Sequence, residues 1–246
     1  MCGLVGILCK HQTGFLPSHV DAFEDMLYVD ALRGEDATGV CKVSKEHGAV
    51  VLKEATCSNW FMYDEEYKKE RATFTSSGKA LLGHNRKATM GGKKDEQAHP
   101  FCFEDRYVFF HNGTLTNHRT IANTDVDSEA LGGLLTACEG DKEKLEEALT
   151  KVNGAYACVW YDAEKHTVYF LRNNERPLFF VTTEEGHIGY ASESWMVMGA
   201  LQRRHMKVKE GIPAKANSLY SIDLNKLELT IKETPLEKKA LRSPHP

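Results

Sequence analysis

Four apolar runs, 154–161, 166–172, 177–182 and 187–192, follow one another with no helix-length segment between them. Runs of this length bounded by turn residues read as three or four strands. Elsewhere strands and helices alternate without a regular βαβ rhythm. Residues 2–9 read as a buried strand carrying two glycines, which marks close backbone approach. Residues 37–44 and 48–54 read as a strand pair around Glu46-His47-Gly48, and 80–86 as a strand entering a turn. Tyr107 to Phe110 reads as a short strand running into His111-Asn112-Gly113, where Asn-Gly favours a tight turn. Segments 218–223 and 227–232 read as a last hairpin across Asp223-Leu224-Asn225. The sum is an α+β chain with much antiparallel sheet.

Helical spacing appears after Pro17, with Val20, Phe23, Met26, Leu27 and Leu32 on one face and a glycine stop near Arg33-Gly34. Residues 127–138 and 142–149 have helical character. So do 194–205, with Trp195, Met198, Leu201 and Met196 as inward candidates. The mixed-charge run 64–71 reads as a solvated helix face, and the glycine-rich polar stretch 90–96 as a mobile loop. Residues 235–246 carry charge and proline and read as a frayed end.

With 246 residues, one large domain is the first expectation, set at 2–233 with a flexible tail over 234–246. A net charge of -4 gives no reason to expect a nucleic-acid partner. Seven cysteines, odd in number and without a CxxC pair, speak against a disulfide framework or zinc site. No apolar run is long enough to span a membrane as a helix, and no signal peptide is evident, so the expected location is cytoplasmic. No metal or cofactor is expected.

The chemistry starts at Cys2. Met1 precedes a small side chain, so its removal would leave a cysteine with a free α-amine. A thiol of pKa about 8.5 and an amine of about 7.7–8.0 titrate close together, so the amine can take the thiol proton. Alone, that is weak; a buried inert cysteine is commoner. Met1-Cys2-Gly3-Leu4-Val5-Gly6-Ile7 resembles the start of class II glutamine amidotransferases, the glutaminase domains among N-terminal-nucleophile hydrolases. The segments Leu32 to Gly39, Gly83 to Gly91, Gln97 to Phe101, His111 to Asn117, Thr124 to Glu129, Gly154 to Ala157 and Ala191 to Glu193 resemble further markers in the family's order.

That resemblance implies a four-layer αββα sandwich of mainly antiparallel sheets. It implies Cys2 as nucleophile on the glutamine side-chain amide, with Asn112 and Gly113 as the oxyanion hole. Arg86 would grip the α-carboxylate, Asp127 the α-ammonium, and Thr89 would assist; Asp125 is a rival for the ammonium. Arg33 resembles a positioning group near the nucleophile. His84, His99 and His111 read as satisfied structural or wall histidines, with His99 counted among the substrate-binding set. Lys87 stands where many relatives have tryptophan, and Met90 where some have histidine. The resemblance covers nearly the whole chain, so the expected partners are L-glutamine and a separate acceptor synthetase. Two other readings stay open: an N-terminal-nucleophile hydrolase of another small amide or γ-glutamyl compound, and a regulatory subunit without turnover.

Overall fold

The computed structural model describes residues 2–11, 13–45, 48–89 and 92–237. Its strands are β1 (Gly3–Leu8), β2 (Ala37–Ser44), β3 (Gly48–Glu54), β4 (Gly78–Arg86), β5 (Phe101–Phe103), β6 (Tyr107–Leu115), β7 (Gly154–Asp162), β8 (Thr167–Arg172), β9 (Phe179–Thr183), β10 (Ile188–Ala191), β11 (Val208–Pro213), β12 (Ser218–Asp223) and β13 (Lys232–Pro235). The helices are α1 (Pro17–Asp30), α2 (Ser58–Phe61), α3 (Glu65–Arg71), α4 (His118–Ile121), α5 (Asp127–Thr136), α6 (Lys142–Leu149) and α7 (Ser194–Arg203). Met1, Glu46, His47, Met90 and the end from residue 238 lie outside the described residues.

Seven strands form one sheet in the order β11-β9-β10-β1-β4-β2-β3, and six form another, β13-β12-β8-β7-β6-β5. Every paired neighbour is antiparallel. Leu4, Leu8, Leu82, Phe110, Val159, Phe170 and Tyr190 belong to the core shared by the two sheets. Val5, Ile7, Phe23, Met26, Leu27, Val197 and Leu201 join the first sheet to α1 and α7. Phe109, Leu131, Leu135, Leu145, Trp160 and Leu171 join the second sheet to α5 and α6. The period-2 alternation of β1 produces this layering: Leu4 and Leu8 face the other sheet, while Val5 and Ile7 face the helices. The architecture is the αββα sandwich.

Several local expectations change. Asn112 and Gly113 form no turn; β6 runs through them, pairing Asn112 with Ala157 and Gly113 with Tyr156. Pairing with β7 and the burial of Asn112 favour ladder over turn there, despite the dipeptide's preference. Leu32 is 83% exposed. The chain after α1 tightens into bonds from Leu32 N–H to Val29 O and Arg33 N–H to Asp30 O, which rotates Leu32 off the apolar stripe. In α7 the buried stripe is Met196, Val197, Ala200 and Leu201, and Trp195 is 52% exposed. The last hairpin pairs β12 with residues 232–235, not 227–232, so the sheet extends past the expected boundary at 233. In α3 the charged run is not wholly solvated: Tyr67 is buried, and Glu70 pairs with the buried Lys42.

Candidate active site

Cys2 immediately precedes the central strand β1 and is buried. Its Sγ receives the Lys87 N–H at 3.4 Å and lies 3.5 Å from Lys87 O. Burial pushes the thiol pKa up; the Lys87 hydrogen bond and the Arg86 charge oppose that rise. The main chain of Cys2 is held by Arg33, whose Nε donates to Cys2 O at 2.9 Å while Nη1 pairs with Glu193 at 2.6 Å. Arg33 thus holds the main chain of Cys2, while its Nη2 has no hydrogen-bond partner among the described residues.

Across the inter-sheet space, β6 faces β1. Asn112 is almost fully buried, and its Nδ2 donates to Ser192 Oγ at 3.4 Å. The same oxygen accepts from Leu4 N at 2.9 Å, and Ser192 N donates to Leu4 O at 2.8 Å. Ser192 therefore ties the strand that follows Cys2 to the amide of Asn112. No side chain fits at Gly113: a Cβ there would lie 1.9 Å from Ala155 O and 2.4 Å from His111 Nε2.

Arg86 ends β4, the neighbour of β1, and is buried. Its Nη1 donates to Gly92 O at 2.7 Å. Desolvation weakens its hold on the proton, and the nearby groups Cys2, Asp127 and Asp36 oppose that effect. One guanidinium therefore feels the charges of both Cys2 and Asp127. Asp127 opens α5, where a carboxylate suits the exposed N–H groups of the first turn. Its Oδ2 accepts from Leu115 N at 2.8 Å and its Oδ1 from Ser128 N at 2.9 Å. Asp125 instead is solvent-exposed and pairs with Arg119 at 3.3 Å, which removes it from the site. Thr89 is exposed beside the undescribed residues 90–91.

The histidines are less satisfied than their sequence context suggests. His84 has Nε2 3.0 Å from His111 O, but its Nδ1 lacks a partner among the described residues. Both ring nitrogens of His99 lack one, although the ring is buried, its centroid 3.9 Å from that of His84 and tilted by 39°. Burial drives His99 far toward the neutral form, aided by His84, His111 and Arg86. It stands as an uncharged wall. His111 alone is anchored as expected, with Nδ1 2.9 Å from Ser128 Oγ.

Two groups escaped the sequence reading. Asp36 accepts from Ala88 N at 2.9 Å and pairs with Lys93 at 2.6 Å and Lys87 at 3.7 Å, so it fastens the segment after Arg86. The Lys93 hydrogen bond is the main cause holding its carboxyl below the usual range. Asp36 lies in a marker segment, yet nothing in its spacing announces a lysine partner 57 residues on. Ser192 was visible only as part of a marker, without a role.

At the other end of β1, Cys9, His11 and His19, and likewise His11, Glu185 and His187, bring possible metal-ligand atoms within 4.8 Å of one another. Spacing could not reveal this cluster, since it gathers three separate segments. Its hydrogen bonds decide its chemistry. His19 Nδ1 accepts from Leu16 N at 3.1 Å and His187 Nδ1 from Lys10 N at 3.2 Å. In the neutral rings the proton then sits on Nε2, the lone pair a metal would need.

The fold is a two-sheet sandwich with a buried cysteine at the start of a central strand. A family model described as "Glutamine amidotransferase domain" matches residues 84–198. The chain is 26% identical over 194 residues to the glutamine–fructose-6-phosphate aminotransferase of Lactococcus lactis, covering 72% of this chain and 30% of that protein. It is 26% identical over 212 residues to the Listeria monocytogenes enzyme, covering 80% and 33%. The chain thus spans about a third of the length of these relatives. Glutamine phosphoribosylpyrophosphate amidotransferase from Bacillus subtilis superposes with a TM-score of 0.69 at 18% identity, over 94% of this chain and 49% of that one, a likeness of fold. Residues 84–198 thus match a glutamine amidotransferase domain, and the whole chain shares the sandwich fold of the Bacillus subtilis enzyme. Among its described residues no helix is long and apolar enough to cross a membrane.

Proposed function

We propose that residues 2–233 act as one glutaminase domain, extended by the strand that ends at Pro235, and feed ammonia from L-glutamine to a separate acceptor synthetase in the cytoplasm. Once Met1 is removed, the α-amine of Cys2 takes the thiol proton and Sγ adds to the side-chain amide carbon. Asn112 Nδ2–H and Gly113 N–H donate to the oxyanion, the kind of contact worth ~10²–10³ in rate. The ammonium returns its proton to the leaving nitrogen, ammonia departs, and water hydrolyses the thioester to glutamate. Arg86 receives the α-carboxylate with its planar fork and Asp127 the α-ammonium. Thr89 assists at the carboxylate, and His99 serves as a neutral wall.

The observation that carries this reading is that one buried arginine follows Asn85, the register partner of Gly3, and feels the charges of Cys2 and Asp127 together. A general amide hydrolase would need the nucleophile and oxyanion donors but not both charged partners. The test is intact mass before and after 6-diazo-5-oxo-L-norleucine, a glutamine-like alkylating agent. Loss of Met1 and one adduct on Cys2, blocked by glutamine and absent in Cys2→Ala, is the expected result. Retained Met1 with no adduct overturns the nucleophile; an adduct that glutamine does not block overturns the substrate.

A further inference from the structure

Asp30, the last residue of α1, is fully buried and has no place in the reaction described so far. Its Oδ2 accepts from Asn85 Nδ2 at 3.1 Å. Its Oδ1 has no hydrogen-bond partner among the described residues. A buried carboxyl oxygen without a donor is costly, and such a group calls for an explanation. Its position supplies one. A Cβ on Gly3 would lie 1.6 Å from Asp30 Oδ1, so only glycine at that position lets the carboxyl lie against the backbone next to Cys2. Asp30 is on the helix side of β1, shared with Val5 and Ile7, while Cys2 alternates with Gly3 toward the inter-sheet side. The backbone nitrogen of Cys2 lies between these two faces.

We propose that Asp30 is a positioning residue of the nucleophile: its Oδ1 accepts a hydrogen from the freed α-amine of Cys2, directly or through one water. The amine's lone pair is thereby turned toward Sγ. When the amine takes the thiol proton, the carboxylate faces the new ammonium and stabilises it. The division of labour is that of a buried aspartate behind a histidine base, which orients the base and stabilises its cation without taking the proton. No atom changes owner at Asp30; the thiol proton moves to the amine and later to ammonia. The proposal rests on Cys2 being an N-terminal nucleophile.

Burial raises the Asp30 carboxyl to about 7, against the lowering effects of Asn85 and Arg33. Among the described residues, the charged or titratable groups facing it are Arg33 from the turn after α1, Cys2 just before β1 and Tyr190 from β10, whose hydroxyl stays neutral. A new cation beside Asp30 therefore favours its ionised form.

The experiment compares wild type with Asp30→Asn, which keeps the shape and an acceptor for Asn85. Intact mass checks Met1 removal, thermal unfolding checks the fold, and alkylation of Cys2 by 6-diazo-5-oxo-L-norleucine is timed from pH 5 to 9. The plateau rate is expected to fall at least about tenfold. The acid limb is expected to move about one pH unit lower, because the amine loses its anionic neighbour. The KM for glutamine stays within about twofold, since Asp30 touches no substrate. A folded, Met1-free variant with the wild-type plateau and limb overturns the proposal. Should the variant not fold or not lose Met1, wild type decides by carboxyl-carbon NMR of Asp30, before and after methionine aminopeptidase treatment. The midpoint is expected to fall when the amine is exposed; an unchanged midpoint overturns the proposal. Wild type that takes no adduct at all refutes the nucleophile itself, a distinct failure.

Discussion

Replacing Ser192 by alanine removes one oxygen and strands two donors. Leu4 N–H gives its hydrogen to that oxygen at 2.9 Å, and Asn112 Nδ2 at 3.4 Å. Leu4 and Ser192 are both fully buried, so water cannot replace the loss without a cavity large enough to hold it. An unpaired buried N–H costs about 1–3 kcal/mol. For a chain of this length, each 1 kcal/mol lowers Tm by about 2–4 °C, so the variant should melt about 2–12 °C lower. The catalytic effect has a ceiling. Loss of a whole oxyanion donor costs ~10²–10³ in kcat. Asn112 remains present but loses its tether, so the fall should be at least about fivefold and below that ceiling. Since Ser192 touches no part of glutamine in this scheme, KM should change little. Glutamate release at saturating glutamine gives kcat, and calorimetry gives Tm. A variant with kcat within about twofold of wild type would refute the claim that Ser192 aims Asn112. An unchanged Tm would refute the claim that Leu4 N–H depends on it.

Arg86→Lys keeps the charge but loses the planar fork, so KM for glutamine should rise about tenfold or more with a smaller change in kcat; equal KM values would remove Arg86 from the carboxylate role. Asp36→Asn breaks the ion pairs with Lys87 and Lys93, so the amides of 87–94 should exchange with solvent faster, and unchanged exchange would show the segment is held by other contacts. Because the Asp36 carboxyl is held below its ordinary value of 3.8, that fastening is intact above 3.8 and lost as pH falls below it; exchange in wild type should rise only there. His19 and His84 are held neutral, chiefly by burial, at about 4 and about 3 against an ordinary 6.5. The unfolded chain binds their protons first, so stability is whole above 6.5 and declines as pH falls from there toward 4; a flat Tm from pH 7 to 4 would contradict the buried neutral rings.

The sequence of this protein was sufficient for element types and for the ordered markers. Strands β2, β3, β7 and β8 lie within a residue of their expected limits, because period-2 patterns bounded by turns leave little choice. The site residues were legible as types in a family order. Asp30 went unread, although it shares one helical face with Phe23, Met26 and Leu27.

What tertiary structure alone decided was which sheet each strand joins. The four consecutive runs that opened the case divide in two, β7 and β8 in one sheet and β9 and β10 in the other. A strand pattern records which face is apolar, not which partner covers it, so nothing local marks that switch between sheets. The same limit hid Ser192: its hydroxyl bridges Leu4, 188 residues away, and Asn112, 80 away. Propensity also misjudged Asn112-Gly113, where pairing with β7 and burial outweighed the dipeptide's preference for a turn. Hydrogen bonds between distant segments are set by packing, and packing is a property of the folded chain.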